Sequence, residues 1–191
     1  MDNRRGVDEG IDAAGLSVRL DETLQIASLR YFDLAGTFVA ALDSALGGPM
    51  PEPLRAVLRT MGGAGIGTAG TEAADELVLA WRSPTETLLL SHDSVRFTSI
   101  AQQAADRVDG CMVDQTNGIG AYTVTGVRAP DLLVRLGSTA AIPALGEART
   151  GRLAELTVTS LCVRPGEILL LVERVYSRHL MGWIAATARD F

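Results

Sequence analysis

The stretch LVLAWRSPTETLLLSHDSVRF (residues 77–97) reads as a strand, a short proline-bearing turn, a second strand and the start of a helix. Farther along, VTSLCVRPGEILLLVERVYSR (158–178) repeats the plan at an offset of 81: Pro84 falls on Pro165 and Glu86 on Glu167. At the same offset Leu88, Leu89 and Leu90 fall on Leu169, Leu170 and Leu171. A chain that builds the same strand–turn–strand–helix unit twice is expected to consist of two related modules. Strands in adjacent hairpins, interrupted by helices, make the fold class α+β, with mostly antiparallel sheets and helices lying on them.

The rest of the chain is arranged around these two hairpins. GLSVRL and LQIASLRYF alternate as strands do. DLAGTFVAALDSALGG then places Leu34, Phe38, Leu42, Ala45 and Leu46 on one helical face, stopped by Gly47 and Gly48. PLRAVLRTM reads as a short helix, followed by a glycine-rich loop over 62–70. Phe97, Ile100, Ala101, Ala104 and Val108 continue the first hairpin as a helix. CMVDQT and AYTVTG read as a strand pair turned at Asn117-Gly118, a favoured hairpin dipeptide. APDLLVRLG is a helix with Pro130 in its first turn and Gly137 beyond its end. In the last helix Tyr176, Leu180, Trp183, Ile184, Ala188 and Phe191 are expected along one face. The expected organisation is a loose arm over 1–15, a first module over 16–110 and a second over 111–191, both packed as one folding unit.

Composition narrows the function classes. The 191 residues are 47% hydrophobic and 21% charged, as in a globular protein. No window approaches the run of about 18 apolar residues that a membrane span needs, and the default compartment is the cytoplasm. A net charge of −6 and the lack of a basic stripe argue against nucleic acid as a partner. All 17 basic residues are arginine, which removes lysine Schiff-base chemistry and a Walker lysine. Cys111 and Cys162 lie in apolar runs and read as small core residues. His92 and His179 have no companions at ligand spacing, and no metal site is expected.

Gly65-Ile66-Gly67-Thr68-Ala69-Gly70 matches G-x-G-x-x-G literally. A dinucleotide site needs a strand before these glycines and a helix after them. Here a helix is expected before, acidic Glu72, Asp75 and Glu76 follow, and the segment reads as a linker. No nucleophile elbow or metalloprotease motif is present. Asp114 interrupts an apolar strand beside Thr116 and Asn117, where a carboxylate accepts hydrogen bonds either from a ligand or from its own turn. Arg152 and Arg174 frame the second hairpin with Glu155, Glu167 and Glu173 nearby. They suit either a bidentate carboxylate clamp or cross-strand ion pairs.

VDQTNGIGAYTVTGVRAPDLLVRL (113–136), GRLAELTV (151–158) and VERVYSRHLMGWIAATARDF (172–191) together resemble the γ subunit of heterotetrameric sarcosine oxidase. The likeness rests on order and spacing: Asp114 on a strand, a strand ending at Gly126, the helix from Ala129 to Leu133, the Arg152-Leu153-Ala154 strand, and a C-terminal helix carrying Tyr176, Trp183 and Phe191. LVLAWRSPTETLLLS extends it into the first half. That family is related in fold to the folate-binding aminomethyltransferase domain of the glycine cleavage T-protein, itself two α+β modules. The resemblance implies a largely structural subunit without catalytic residues of its own. FAD, FMN, NAD and tetrahydrofolate would lie on larger flavoprotein partners, and Tyr176, Leu180 and Trp183 would be interface residues. The alternative it implies is a stand-alone, folate-binding one-carbon transferase. Asp114, Arg152 and Arg174 would then meet tetrahydrofolate.

Overall fold

The structure is a computed structural model and describes residues 10–60, 76–137 and 139–191. The described residues begin with a hairpin of β1 (Ile11–Ala13) and β2 (Leu16–Leu20), turned at Gly15 with φ of 75°. It continues with β3 (Gln25–Tyr31), α1 (Thr37–Leu46), β4 (Ala56–Thr60), β5 (Glu76–Ser83), β6 (Glu86–Ser91), α2 (Ser94–Ala104) and β7 (Gly110–Asp114). The remainder is β8 (Ile119–Thr125), α3 (Ala129–Leu136), β9 (Glu147–Leu153), β10 (Leu156–Arg164), β11 (Glu167–Glu173) and α4 (Ser177–Ala188). This is the expected α+β class, with two sheets whose neighbouring strands all run antiparallel.

The repeat read from the two hairpins holds at the level of strand register. Val78 faces Leu90 and Thr159 faces Leu171; Ala80 faces Leu88 and Leu161 faces Leu169. Ser83 faces Glu86 and Arg164 faces Glu167, and both hairpins carry a register shift just before the turn. Each of these pairs differs from its counterpart by 81 on both strands (159 − 78 = 81; 171 − 90 = 81). The surrounding topology repeats as well. One sheet has the order β4-β5-β6-β3-β7, and the other β9-β10-β11-β8-β2 with β1 added at the edge.

That order places the strands before each module's first strand in a reciprocal arrangement. β2 leads into β3 but pairs with β8, whereas β7 leads into β8 but pairs with β3. The compact units are therefore Thr23–Thr116 on one hand, and the residues up to Glu22 with Asn117–Phe191 on the other. The expected boundary at 110/111 is corrected on both counts: β2 joins the C-terminal unit, and β7 completes the N-terminal one. The expected hairpin at Asn117-Gly118 is corrected for the same reason. β8 already has β11 and β2 on its two sides, and the open edge of β3 accepts β7.

The expected helix in PLRAVLRT is β4 instead, paired residue for residue with β5 from Ala56–Ala80 to Thr60–Glu76. Pro51 and Pro53 disfavour helical geometry before them, and Leu54 sits at φ 64°, so no helix can run through it. The edge of β5 supplies the backbone partners that a five-residue helix could not. A strand thus precedes the glycine motif; Gly65 to Gly70 themselves lie outside the described residues, and the next described element is again a strand, β5.

Each unit buries its helices on one face of its sheet. Phe38, Leu42 and Leu46 of α1 and Phe97, Ile100 and Ala104 of α2 pack on Ala27, Leu29, Tyr31, Leu77, Leu79 and Leu89. Leu132, Leu133 and Leu136 of α3 and Leu180, Met181, Ile184 and Ala188 of α4 pack on Val18, Tyr122, Val124, Val158, Leu170 and Val172. Full burial of each large aliphatic side chain contributes about 1.5–3 kcal/mol. Cys162 is buried as expected, while Cys111 is exposed on the edge strand β7.

The start of α1 has a cap from a distant residue. Gly36 at the N-cap has no side chain to offer, and Asp109 takes over that role. Its carboxylate accepts from the Thr37 hydroxyl at 2.9 Å and the Phe38 N–H at 3.1 Å. Partial burial pushes the Asp109 carboxyl up, and the hydrogen bonds from Thr37 and Phe38 outweigh it, leaving the group below its ordinary value. A folded-state value below the unfolded one stabilises the fold above the ordinary carboxylate range, and that stabilisation is lost as pH falls through the depressed value. Asp109→Asn is expected to lower the urea midpoint at about pH 6 and to differ less from the parent at about pH 3. Urea titrations of both chains across that range test this; a difference independent of pH would contradict it.

Candidate interaction site

Helix α4 follows a single 3-10 turn, Arg174–Tyr176, and its sequence SRHLMGWIAATA divides by spacing into two faces. Leu180, Ile184 and Ala188 recur every four residues with Met181 beside them, and all are buried on the sheet. At about 100° per residue, Trp183 and His179 fall well round the helix from that stripe. Trp183 is 50% exposed, Tyr176 46% and Val175 80%. The His179 and Trp183 rings lie 6.5 Å apart, inclined at 60°. The end of the helix is fixed to α3, where the Arg135 guanidinium stands 4.5 Å over the Phe191 ring.

This splits the expected interface trio. Tyr176 and Trp183 point outward, as interface residues must, but Leu180 is fully buried in the core and is corrected to a packing residue. Among the described residues Arg178, exposed on the same outward side, has no acceptor within hydrogen-bond or ion-pair reach. Gly182 is also exposed, and a Cβ built there meets nothing within 4 Å.

The other unit carries an open groove of about 600 Å³ where β3, β6 and β7 come together at one end of the sheet. Its rim holds Phe32, 84% exposed, and Val108, 93% exposed. Val108 was expected on the buried face of the second helix; α2 stops at Ala104, which leaves it in the following loop. Beneath them one oxygen of Glu86 accepts from the Ser28 hydroxyl and from Arg82 at 3.2 Å, with the Arg30 Nε at 3.7 Å. Phe32 lies just past the end of β3, and Val108 keeps helical spacing in the sequence but lies past the end of α2, so sequence patterning does not place either at a groove.

The alternative ligand residues are engaged locally. Asp114 is exposed at the end of β7, and its carboxylate accepts from the Thr116 N–H at 2.8 Å, the turn role rather than a ligand role. Arg152, on the edge strand β9, pairs with Glu155 at 3.0 Å across the hairpin turn, both side chains largely exposed. Arg174 reaches the Ile119 carbonyl at 3.4 Å. Asp114 belongs to one compact unit and the two arginines to the other. No group of three or more metal-ligating side chains occurs among the described residues.

The fold that carries this site is a pair of related, mostly antiparallel α+β modules, and known structures share it. A chain of the heterotetrameric sarcosine oxidase from Corynebacterium sp. U-96 matches 96% of this chain and 89% of its own length, with a TM-score of 0.73 at 17% identity. The glycine cleavage system aminomethyltransferase T from Bartonella henselae matches with a TM-score of 0.63 at 11% identity; 93% of this chain is covered, spanning 50% of that one. The resemblance read from the sequence is thereby matched at the level of fold. No protein-family model matches the sequence, and comparison with curated proteins gives no match either. No helix among the described residues is long and apolar enough to cross a membrane.

Proposed function

We propose that this chain is a non-catalytic, γ-type subunit of a heteromeric, flavin-dependent oxidase that demethylates a secondary amine, and that it packs against the large subunit. The observation that carries this reading is the outward side of α4 and of the 3-10 turn before it, where Trp183, Tyr176 and Val175 expose large apolar surface while Leu180, Met181, Ile184 and Ala188 pack inward. Supporting it, the fold match extends over nearly the whole length of a chain that belongs to a heterotetramer. In this reading FAD, FMN, NAD and tetrahydrofolate are held by the partner chains. The contribution of this one is surface complementarity.

The test is affinity purification of the tagged chain from its native host, with visible absorbance of the eluate and mass spectrometry of its components. Larger, flavin-bearing chains in fixed stoichiometry are the expected result. A colourless chain eluting alone would overturn the proposal. Tetrahydrofolate would then be titrated against it, with an Arg152→Ala, Arg174→Ala variant as control for the one-carbon transferase alternative.

A further inference from the structure

We infer that the groove at the end of β3, β6 and β7 binds a small organic monocarboxylate with an apolar body. The site belongs to this chain alone and stands independently of the accessory-subunit reading. At about 600 Å³ the groove has the size of a small-molecule site, and such sites are mostly apolar with a few placed polar groups. Its lining combines the exposed side chains of Phe32 and Val108 with Arg30, Glu86 and Cys111. All of these belong to the Thr23–Thr116 unit.

The repeat supplies an internal control on Arg30. In its own sheet Arg30 stands opposite Glu86 on one side and Cys111 on the other. At the matching place in the other sheet, Thr125 stands opposite Glu167 and Ser17. The fold therefore builds the same strand end without an arginine or a thiol. Nor does the acid need this arginine. Glu167 takes a cation from its own hairpin, Arg164 at 3.3 Å, and Glu86 does the same with Arg82 at 3.2 Å. The Ser28 hydroxyl donates to that same Glu86 oxygen. Arg30 is a second cation there, and its nearest approach is Nε at 3.7 Å. Among the described residues no acceptor lies within hydrogen-bond reach of its guanidinium, and its side chain is half-exposed where it lines the groove.

Charge and shape select the ligand. Arg30 and Arg82 around the single carboxylate of Glu86 leave one positive charge uncompensated, which a monoanion neutralises. A dianion such as phosphate would leave excess negative charge beside Glu86. The planar guanidinium fork suits a carboxylate, which it holds through two parallel hydrogen bonds. Phe32 and Val108 offer the rest of the molecule apolar surface to cover.

The probe is benzoate, compared with benzamide as its neutral isostere and inorganic phosphate as a bare anion. The readout is alkylation of Cys111 by iodoacetamide in the full native chain, since Cys111 lines the groove and is exposed whereas Cys162 is buried. Benzoate is expected to slow Cys111 alkylation saturably, about fivefold or more, with a dissociation constant of about 0.1–1 mM. Benzamide and phosphate are expected to leave the rate unchanged at the same concentrations. Arg30→Thr installs the residue type that the other sheet carries at this place. It is expected to weaken benzoate binding about tenfold or more, with a melting temperature within about 2 °C of the parent. Phe32→Ala is expected to weaken binding about threefold, again without a change in melting temperature, because Phe32 packs on almost nothing in the free chain.

Benzoate that fails to protect Cys111, or protects it no better than benzamide or phosphate, would overturn the assignment. So would an Arg30→Thr or Phe32→Ala chain that folds and binds benzoate like the parent. An Arg30→Thr chain that melts well below the parent would also overturn it, because the arginine would then serve the fold.

Discussion

Val18→Asp is expected to abolish the native structure of the unit formed by β2 and Asn117–Phe191 at neutral pH. Val18 is fully buried, faces Val124 across the β2–β8 pairing, and packs with the residues of α3 and α4 in one core. The substitution removes about 1.5–3 kcal/mol of apolar burial. It also places an unpaired carboxylate in an apolar interior, at a further cost of several kcal/mol. Against a typical total of about 5–15 kcal/mol, that sum is decisive. The chain carries its own reporters: of its two tryptophans, Trp81 lies in one compact unit and Trp183 in the other. In a Trp81→Phe background, urea unfolding followed by Trp183 fluorescence should show no cooperative transition once Val18 is replaced. An unchanged transition would refute the placement of β2 beside β8.

The counterpart on the other sheet is Gly110, at the start of β7. A Cβ there would lie 2.7 Å from the Arg30 carbonyl oxygen and closer still to the ring of Phe38. Neither neighbour can yield cheaply. The carbonyl belongs to the strand β7 pairs with, and Phe38 is fully buried at the centre of its core. Gly110→Val is expected to destabilise the Thr23–Thr116 unit by about 3–4 kcal/mol through overpacking and lost strand pairing. Gly110→Ala should be milder. Combining Gly110→Ala with Phe38→Leu should cost less than the sum of the two single changes, because the smaller side chain frees part of the space the methyl needs. Trp81 fluorescence in a Trp183→Phe background measures each. Strict additivity would mean that Phe38 is not what excludes a side chain at 110.

Both effects fall on the strands whose sheet the sequence alone does not decide. β2 is bound to β8 across a sequence separation of about a hundred residues, from Ser17–Thr125 to Leu20–Tyr122. No local signal distinguishes β2 paired with β8 from β2 paired with β3. The alternation in GLSVRL fixes that it is a strand and which side chains it buries, but several strands could receive it. Asn117-Gly118 shows the same limit. Its hairpin propensity is real, yet both sides of β8 are already paired, and the dipeptide serves a connection between sheets instead.

The site divides along similar lines. The periodicity of the last helix is legible, and it correctly finds Leu180, Ile184 and Ala188 facing inward. Counting every apolar residue as part of one face brought Trp183 inward too. The sheet beneath α4 offers room only to the stripe centred on Leu180 and Ile184, so Trp183 is left at its flank. Phe32 and Val108 are isolated apolar residues in loops, and only the folding of β3, β6 and β7 brings them to one groove.

What the amino-acid sequence determined by itself was whatever depends on short range: the strand–turn–strand–helix repeat, its offset of 81, and the glycine stops of α1 and α3. Those follow from backbone sterics, side-chain periodicity and turn chemistry, which act within a few residues. What only the tertiary structure decided was which sheet receives β2 and β7, that β4 is a strand, and which aromatic residues remain outside. These depend on competition among distant partners for the same open edges and the same buried volume, and that competition is settled only when all of them are present.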